Sequence, residues 1–456
     1  MTAIHANPWL ASLLASHGSL AAPAVSWVHE LRRAALERAH ALALPGRSDE
    51  AWRFTDLSAL YRMAFQVPAA ADLPDIASVV AAADASSAGT VLPAGLEIPE
   101  AAYRLTFVDG MLEPSLSNGH DQRGIRVISL ASVLADAGHP MHDRAQALLG
   151  SEASDSDADA LATLNMAFLQ HGAIVVLERG MRLDAPVHLL FVSSRPDLAT
   201  HPRLLVMLDQ GAEAHLIEEH VARHAGASCV NAVARIRLAA GARLRHARIQ
   251  SDSQAGFHIA RCLVDLARDA CYESTSIAMG SRLSRLDLDV HLRGDGAHAS
   301  LDGLAMIGAG QLADTHTFID HASPHCTSRQ LHKVVLAGNA HGVFNGRILV
   351  QPGAQQTDSS QQSRTLLLSG RARIDAKPQL DIFADDVKCA HGATVGQLEA
   401  DELFYLVSRG IDPAAARRLL TFGFAADVIN RLGIGSLEQR LRERVLAQTE
   451  SLKVGA

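Results

Sequence analysis

Aromatic residues make up only 4% of the 456 positions, and cysteine occurs five times, at Cys229, Cys262, Cys271, Cys326 and Cys389. Thiols so few, odd in number and far apart do not make a secreted disulfide framework; they fit a reducing compartment, expected to be the cytoplasm. Positive charge is also short: 41 Lys and Arg stand against 49 Asp and Glu, a formal charge of -8. Such a chain has no general attraction for nucleic acid or an anionic membrane, and neither is expected as a partner. No apolar run is long enough to span a bilayer. The apolar stretch between Trp9 and Pro23 lacks a basic leader and is broken by Ser16, His17, Gly18 and Ser19, so it makes a poor export signal. Catalytic signatures are missing as well. There is no Walker lysine loop, GxSxG elbow, HExxH pair or dinucleotide fingerprint, and the chain is expected not to be an enzyme.

What is present falls into three stretches. The length exceeds what one compact core usually serves, so more than one structural region is expected, unless a solenoid relaxes that limit. Residues 1–160 read as a helical and mixed region. Val25, Trp27, Val28, Leu31, Ala35 and Leu36 return at helical intervals until Pro45 and Gly46 stop the pattern. Two small-residue, acidic stretches, around 70–92 and 150–160, look like exposed connections.

Residues 161–397 change to a period of two. Leu286, Leu288, Val290 and Leu292 alternate with Arg285, Asp287, Asp289 and His291, and Val230, Ala232, Ala234, Ile236 and Leu238 lie opposite Asn231, Arg235 and Arg237. These predict strands with one buried face. Turn-like openings recur at Gly211, Gly241, Gly296, Gly338 and Gly370, so a mainly β architecture of many short strands is expected, a solenoid in preference to a sandwich. Residues 398–456 return to helix. Gly410 is placed to end one helix, Asp412 to cap the next and Pro413 to open it, with Leu419, Leu420, Phe424, Val428, Ile429 and Leu432 as an apolar stripe. That stripe can pack on the strands or serve as a docking surface.

The most informative segment is DDVKCAHGATVG, 385–396. As a strand it would put Asp385, Val387, Cys389 and His391 on one face, with thiol and imidazole side by side. A thiolate suits soft iron or persulfide sulfur, and neutral imidazole adds a borderline nitrogen ligand. Two ligands do not make a stable metal site, so the rest would have to come from elsewhere, including another chain. The plain structural alternative is a buried Cys beside a hydrogen-bonded His. His316, His321, His325 and Cys326 match no zinc spacing and read as a polar turn around Pro324. The run Phe344 to Ile348 and the amides and hydroxyls of 356–364 read as stacked turn ladders of the fold.

Three segments, SRQLHKVVLAGNAHGVFNGRILV (328–350), KPQLDIFADDVKCAHGATVG (377–396) and LFYLVSRGI (403–411), closely resemble the SufD family of iron–sulfur cluster assembly subunits, and EAWRFTDL (50–57) resembles its N-terminal W-[RK]-[YF]-T element. Ala376 departs from the threonine expected there. The resemblance implies a right-handed parallel β-helix core flanked by N-terminal and C-terminal helical regions, in a non-enzymatic scaffold subunit. It implies SufB as a partner through the β-helix and the SufC ATPase as a second, docked by the C-terminal helices through Leu403, Phe404, Leu406, Leu419, Leu420 and Phe424. A homodimer could form where SufB is absent. His391 matches the histidine placed at the SufB–SufD interface, where a transient Fe–S cluster or iron would be held jointly with SufB; Cys389 lies beside it. Nothing is expected to bind tightly to the isolated chain. Two other readings compete: a β-helix carbohydrate-active enzyme, for which Asp385 and Asp386 would be poorly paired acids, and an independent metal-binding protein built on the histidines.

Overall fold

The computed structural model describes residues 7–18, 20, 23–68, 95–153 and 159–451. Its centre is a parallel β-solenoid of two sheets, ten strands in the first and eleven in the second among the described residues. From Glu213–Ala222 onward the chain places strands in the two sheets alternately. Each strand pairs in parallel with the one a coil earlier, so Arg243 sits beside Glu213 and Phe257 beside Cys229. Coil length varies, which is why the repeat is irregular in sequence: Leu283 lies 26 residues after its partner Phe257, and Arg373 lies 32 after His341.

The turns explain the recurring glycines. A left-handed residue stands two positions before strand after strand of the first sheet, as Gly211 (φ 69°), Gly241 (68°), Asp269 (56°), Gly296 (69°), His325 (59°) and Gln356 (58°). Glycine takes this conformation without a Cβ penalty. Asp269, His325 and Gln356 adopt it against their preference, held by the ladders on either side.

Inside the solenoid, Leu288, Val290 and Leu292 stack with Leu238, Leu266 and Leu301 in one apolar core, as the alternation predicts. The opposite faces are not simply wet. Helices Pro8–His17 and Ser26–Ala41 close over the second sheet, packing Trp9, Leu13 and Val28 near Phe257, Ile259 and Leu283. Helices Pro413–Ile429 and Gly435–Ser451 cover the first sheet, placing Val428, Ile429 and Leu441 on Ile249, Ile277 and Met306. Each fully buried side chain of this kind contributes about 1.5–3 kcal/mol. Hence the expectation of one buried face fails for the middle coils. Asn231, on the polar side of its strand, is buried and donates to Leu161 O at 2.8 Å. Arg285 is buried under the Trp52 ring at 3.7 Å and bonds Asp314 at 2.6 Å. Thr55 Oγ1 donates to the same Asp314 at 2.5 Å, so the WRFT element latches the N-terminal region onto the second sheet.

The acidic stretch at 70–92 lies outside the described residues, and 150–160 only partly within them. Gly150 to Ala153 finish the helix His142–Ala153, and Asp159 caps the helix Ala160–Ala167. Both sheets also take in strands that precede residue 161, among them Tyr103–Val108 and Ile125–Ser129.

Candidate functional site at the open end of the solenoid

The last coil consists of Arg373–Ile382 in the second sheet and Lys388–Gly396 in the first, each at the edge of its sheet. An edge strand leaves alternate N–H and C=O groups unpaired and is a template for another chain unless something covers it. Here the edge carries exposed apolar side chains, Phe383 at 63%, Val395 at 52% and Ile382 at 40%. These three were not singled out in the sequence, where an apolar residue in a strand reads as core.

The strand begins at Lys388, so Asp385 and Asp386 fall in the preceding bend, not on the strand face. Cys389 and His391 do share one face. Cys389 is registered with Ser359 and His391 with Gln361, and both partners are buried at 1%, so the shared face is the one directed into the lumen. Being on the terminal rung, it is open. Cys389 is half-buried against Ile348, Val350 and Leu380, while His391 is exposed and borders a shallow cleft with Gln362, Arg364 and Thr394. Burial pushes the Cys389 thiol upward, as does the charge of Asp358; the backbone N–H of Ser359 acts the other way. The other four cysteines are buried.

The histidine-rich segment 316–326 is dispersed. His316 lies on the outer face, bonded to Asp314 at 3.0 Å. His321 is inside the lumen at 0% exposure, His325 is a left-handed turn residue and Cys326 is core. Neither Phe344–Ile348 nor residues 358–364 form turns. They are strand rungs: Ser359, Gln361 and Ser363 are buried toward the lumen, where Gln330 donates to Gln361 at 3.3 Å and Gln361 to Gly346 O at 3.2 Å, while Arg347, Gln362 and Arg364 are exposed on the other face. Deeper still is a cavity of about 40 Å³ lined by Arg248, Gln250, His258 and His332. Beside it Glu218 is buried, and although burial alone would raise its pKa, Arg248, His220 and His246 hold the carboxyl well below the usual range. Among the described residues, no group of three or more His, Cys, Asp or Glu side chains is arranged to hold a metal ion. No helix among them is long and apolar enough to cross a membrane.

The C-terminal apolar residues divide into two sets. None of the residues of helix Ala400–Ser408 is buried: Phe404 is 74% exposed, and Tyr405 and Val407, missed in the sequence, are exposed beside it. Leu403 and Leu406 are half-buried. On helix Pro413–Ile429, Leu419 is exposed and Leu420 half-buried, while Phe424 packs against the solenoid. Lys333 Nζ lies 4.8 Å from the Phe424 ring, donates to Phe424 O at 3.0 Å and pairs with Asp427 at 2.8 Å.

Comparison with known proteins bears on all of this. Residues 191–424 match the family model described as "SUF system FeS cluster assembly, SufBD core domain". The chain is 34% identical over 431 residues to an iron–sulfur cluster assembly SufBD family protein of Synechocystis, covering 92% of this chain and 90% of that one. It is 31% identical over 409 residues to the iron–sulfur cluster assembly protein SufD of Escherichia coli, covering 88% of each. To the chloroplastic protein ABCI7 of Arabidopsis thaliana it is 33% identical over 281 residues, 60% of this chain.

Proposed function

The chain belongs to the SufBD family of iron–sulfur cluster assembly proteins, and from that premise we propose that it is a non-enzymatic, cytoplasmic scaffold subunit of the SUF system. In this reading it pairs with a SufB-type chain through the open end of the solenoid and carries a SufC-type ATPase on its C-terminal helices. The nascent cluster, or the iron for it, is cargo held at the junction. His391 supplies one ligand, Cys389 stands next to it, and the partner supplies the rest. ATP hydrolysis belongs to the ATPase, whose movement would open and close the junction.

The observation that carries the reading is the placement of Cys389 and His391 on the inward face of a terminal, one-side-paired strand. A ligand pair on an interior coil would be sealed by the next rung; among the described residues no further rung follows this one. Phe383 and Val395 give the same edge an apolar rim, the composition of a covered interface. Exposed Phe404, Tyr405 and Leu419 provide aromatic and aliphatic anchors of the kind that dominate interface energetics.

The test is co-expression with SufB-type and SufC-type chains and purification through a tag on this subunit. Recovery of a stable complex is expected; recovery of this chain alone, with both others expressed and soluble, would overturn the proposal.

A further inference from the structure

Two successive rungs of the first sheet are small where they face the lumen. Beyond Arg248 and Gln250 the columns run through Ser276 and Ala278, then Gly303 and Ala305, before His332 and Val334 fill the space again. Across the lumen stand Ser284, Ala313 and Thr315 of the second sheet, and the gap between the two walls is the cavity of about 40 Å³. Gly303 has no room for a larger residue, since a Cβ there would lie 2.3 Å from His332 Nδ1. The His332 ring itself packs 4.6 Å from that of Phe344.

Small residues alone would leave an apolar void, but two buried polar atoms of the residues lining this cavity have no partner among the described residues. Gln250 Nε2 donates to Asp252 Oδ2 at 2.8 Å and to Ser281 Oγ at 2.7 Å. A carboxylate only accepts, so the amide is oriented and Oε1 is its remaining atom. That oxygen is unbonded, and so is His332 Nε2, although both residues are only 4% exposed. Buried polar groups left this way are costly and rare.

The surrounding charges exclude an ion. Arg248 lines the cavity and repels a cation, yet it is already bonded to Glu218 at 3.2 Å and to His258 Nε2 at 3.3 Å, while His258 Nδ1 donates to Asp252 at 2.8 Å. Two carboxylates against one guanidinium leave nothing to hold an anion. Of the other charged lining residues, Arg285 pairs with Asp314 and Lys333 with Asp427. Burial keeps His332 neutral, at about 4. The ligand that fits is neutral, small, and able both to donate and to accept.

We infer that this cavity is a binding site for water, holding a cluster of about two or three molecules that donates to Gln250 Oε1 and bonds His332 Nε2. The number follows from the roughly 10–15 Å³ that each molecule needs in such a space. The hydroxyls of Ser276, Ser284 and Thr315 on the walls give the cluster further partners. An apolar guest of the same size would leave both orphaned atoms unbonded. Nearer the open end, side chains satisfy one another directly, as Gln330 does with Gln361; here, where two rungs are too small to reach across, water takes that part and links the ionised group around Arg248 to the rung of His332.

The test uses the full chain without partners. Magnetic relaxation dispersion of the water oxygen counts molecules held inside a protein for longer than it tumbles. Ala278→Val should fill the space beside Gln250 with a side chain that the same column already carries at Val334, and the dispersion amplitude should fall by about two waters. Ala305→Val, one rung further, should do the same and serves if the first variant does not fold. Equal amplitudes in the folded variant and the unsubstituted chain would overturn the site. A crystal structure of the unsubstituted chain needs no variant: density peaks within about 3.2 Å of Gln250 Oε1 and of His332 Nε2 are expected. Featureless density in the cavity would overturn the inference, as would a peak ringed by six or more oxygens at about 2.3–2.6 Å, the mark of a metal cation.

Discussion

Arg440, on the last helix, reaches into the solenoid wall and meets the buried carboxylate of Glu219 at 2.6 Å. Glu219 also bonds His188 at 3.1 Å, and Arg440 spans to Gly95 O at 2.7 Å. One arginine thus ties the C-terminal helices to the first sheet. Breaking a buried pair from one side costs about 3–5 kcal/mol because the remaining charge is stranded. Arg440 is 21% exposed, which places Arg440→Ala near the lower end, at about 3 kcal/mol. Denaturant unfolding should show that loss, and Arg440→Lys should recover only part of it, since a lysine cannot reproduce the two-armed contact.

The interior predicts a steep acid limit. Burial lowers His258, His321 and His332 to about 4 and His201 to about 3. A base whose folded pKa is depressed binds fewer protons folded than unfolded, so between about 6.5 and 4 stability falls as pH falls. Each such histidine adds up to about 1.4 kcal/mol per pH unit over that window. Unfolding free energy should be nearly level from pH 7 to 8 and drop below pH 6.5; a level profile down to pH 5 would contradict these buried neutral imidazoles.

Much of this architecture was legible in the chain. Alternation at Leu286 to Leu292 gave the lumen face correctly, and Asp412 and Pro413 start their helix as expected, the Asp412 side chain accepting from Ala414 and Ala415. What could not be read was the outer face. Asn231 and Arg285 are polar on polar sides of their strands, yet segments that precede these strands cover them, the helix Ala160–Ala167 at Asn231 and Trp52 at Arg285, and only tertiary packing decides that. The ladder amides looked like turns because glutamine is uncommon inside a strand; in a solenoid the lumen satisfies them rung against rung. Cys389 and His391 were legible as a pair, but their position on a terminal rung was not, since nothing in a period of two marks which coil is last.

The two sets of C-terminal apolar residues, on helices Ala400–Ser408 and Pro413–Ile429, should separate experimentally. Phe404→Asp with Tyr405→Ser alters a helix that buries nothing. It should weaken binding of a SufC-type chain at least tenfold, about 1.4 kcal/mol, by titration calorimetry, and leave the melting temperature unchanged. Phe424→Ala should instead cost about 3 kcal/mol of stability, because its ring packs on the solenoid beneath Lys333.

His391 is exposed on the open rung. His391→Ala should therefore change folding stability by no more than about 0.5 kcal/mol and leave the complex assembled, while the ligand role proposed for His391 predicts that cluster formation, followed by visible absorbance, falls roughly tenfold or more.

Hydrogen exchange of the last coil tests the central claim most directly. In the isolated chain the outward-facing amides of Arg373–Ile382 and Lys388–Gly396 lie at sheet edges and should exchange fast. Saturation with a SufB-type chain should slow exchange across residues 373–396 by two orders of magnitude or more, roughly 3 kcal/mol of added protection. Unchanged exchange there, with the partner fully bound, would contradict a shared site at this end of the solenoid.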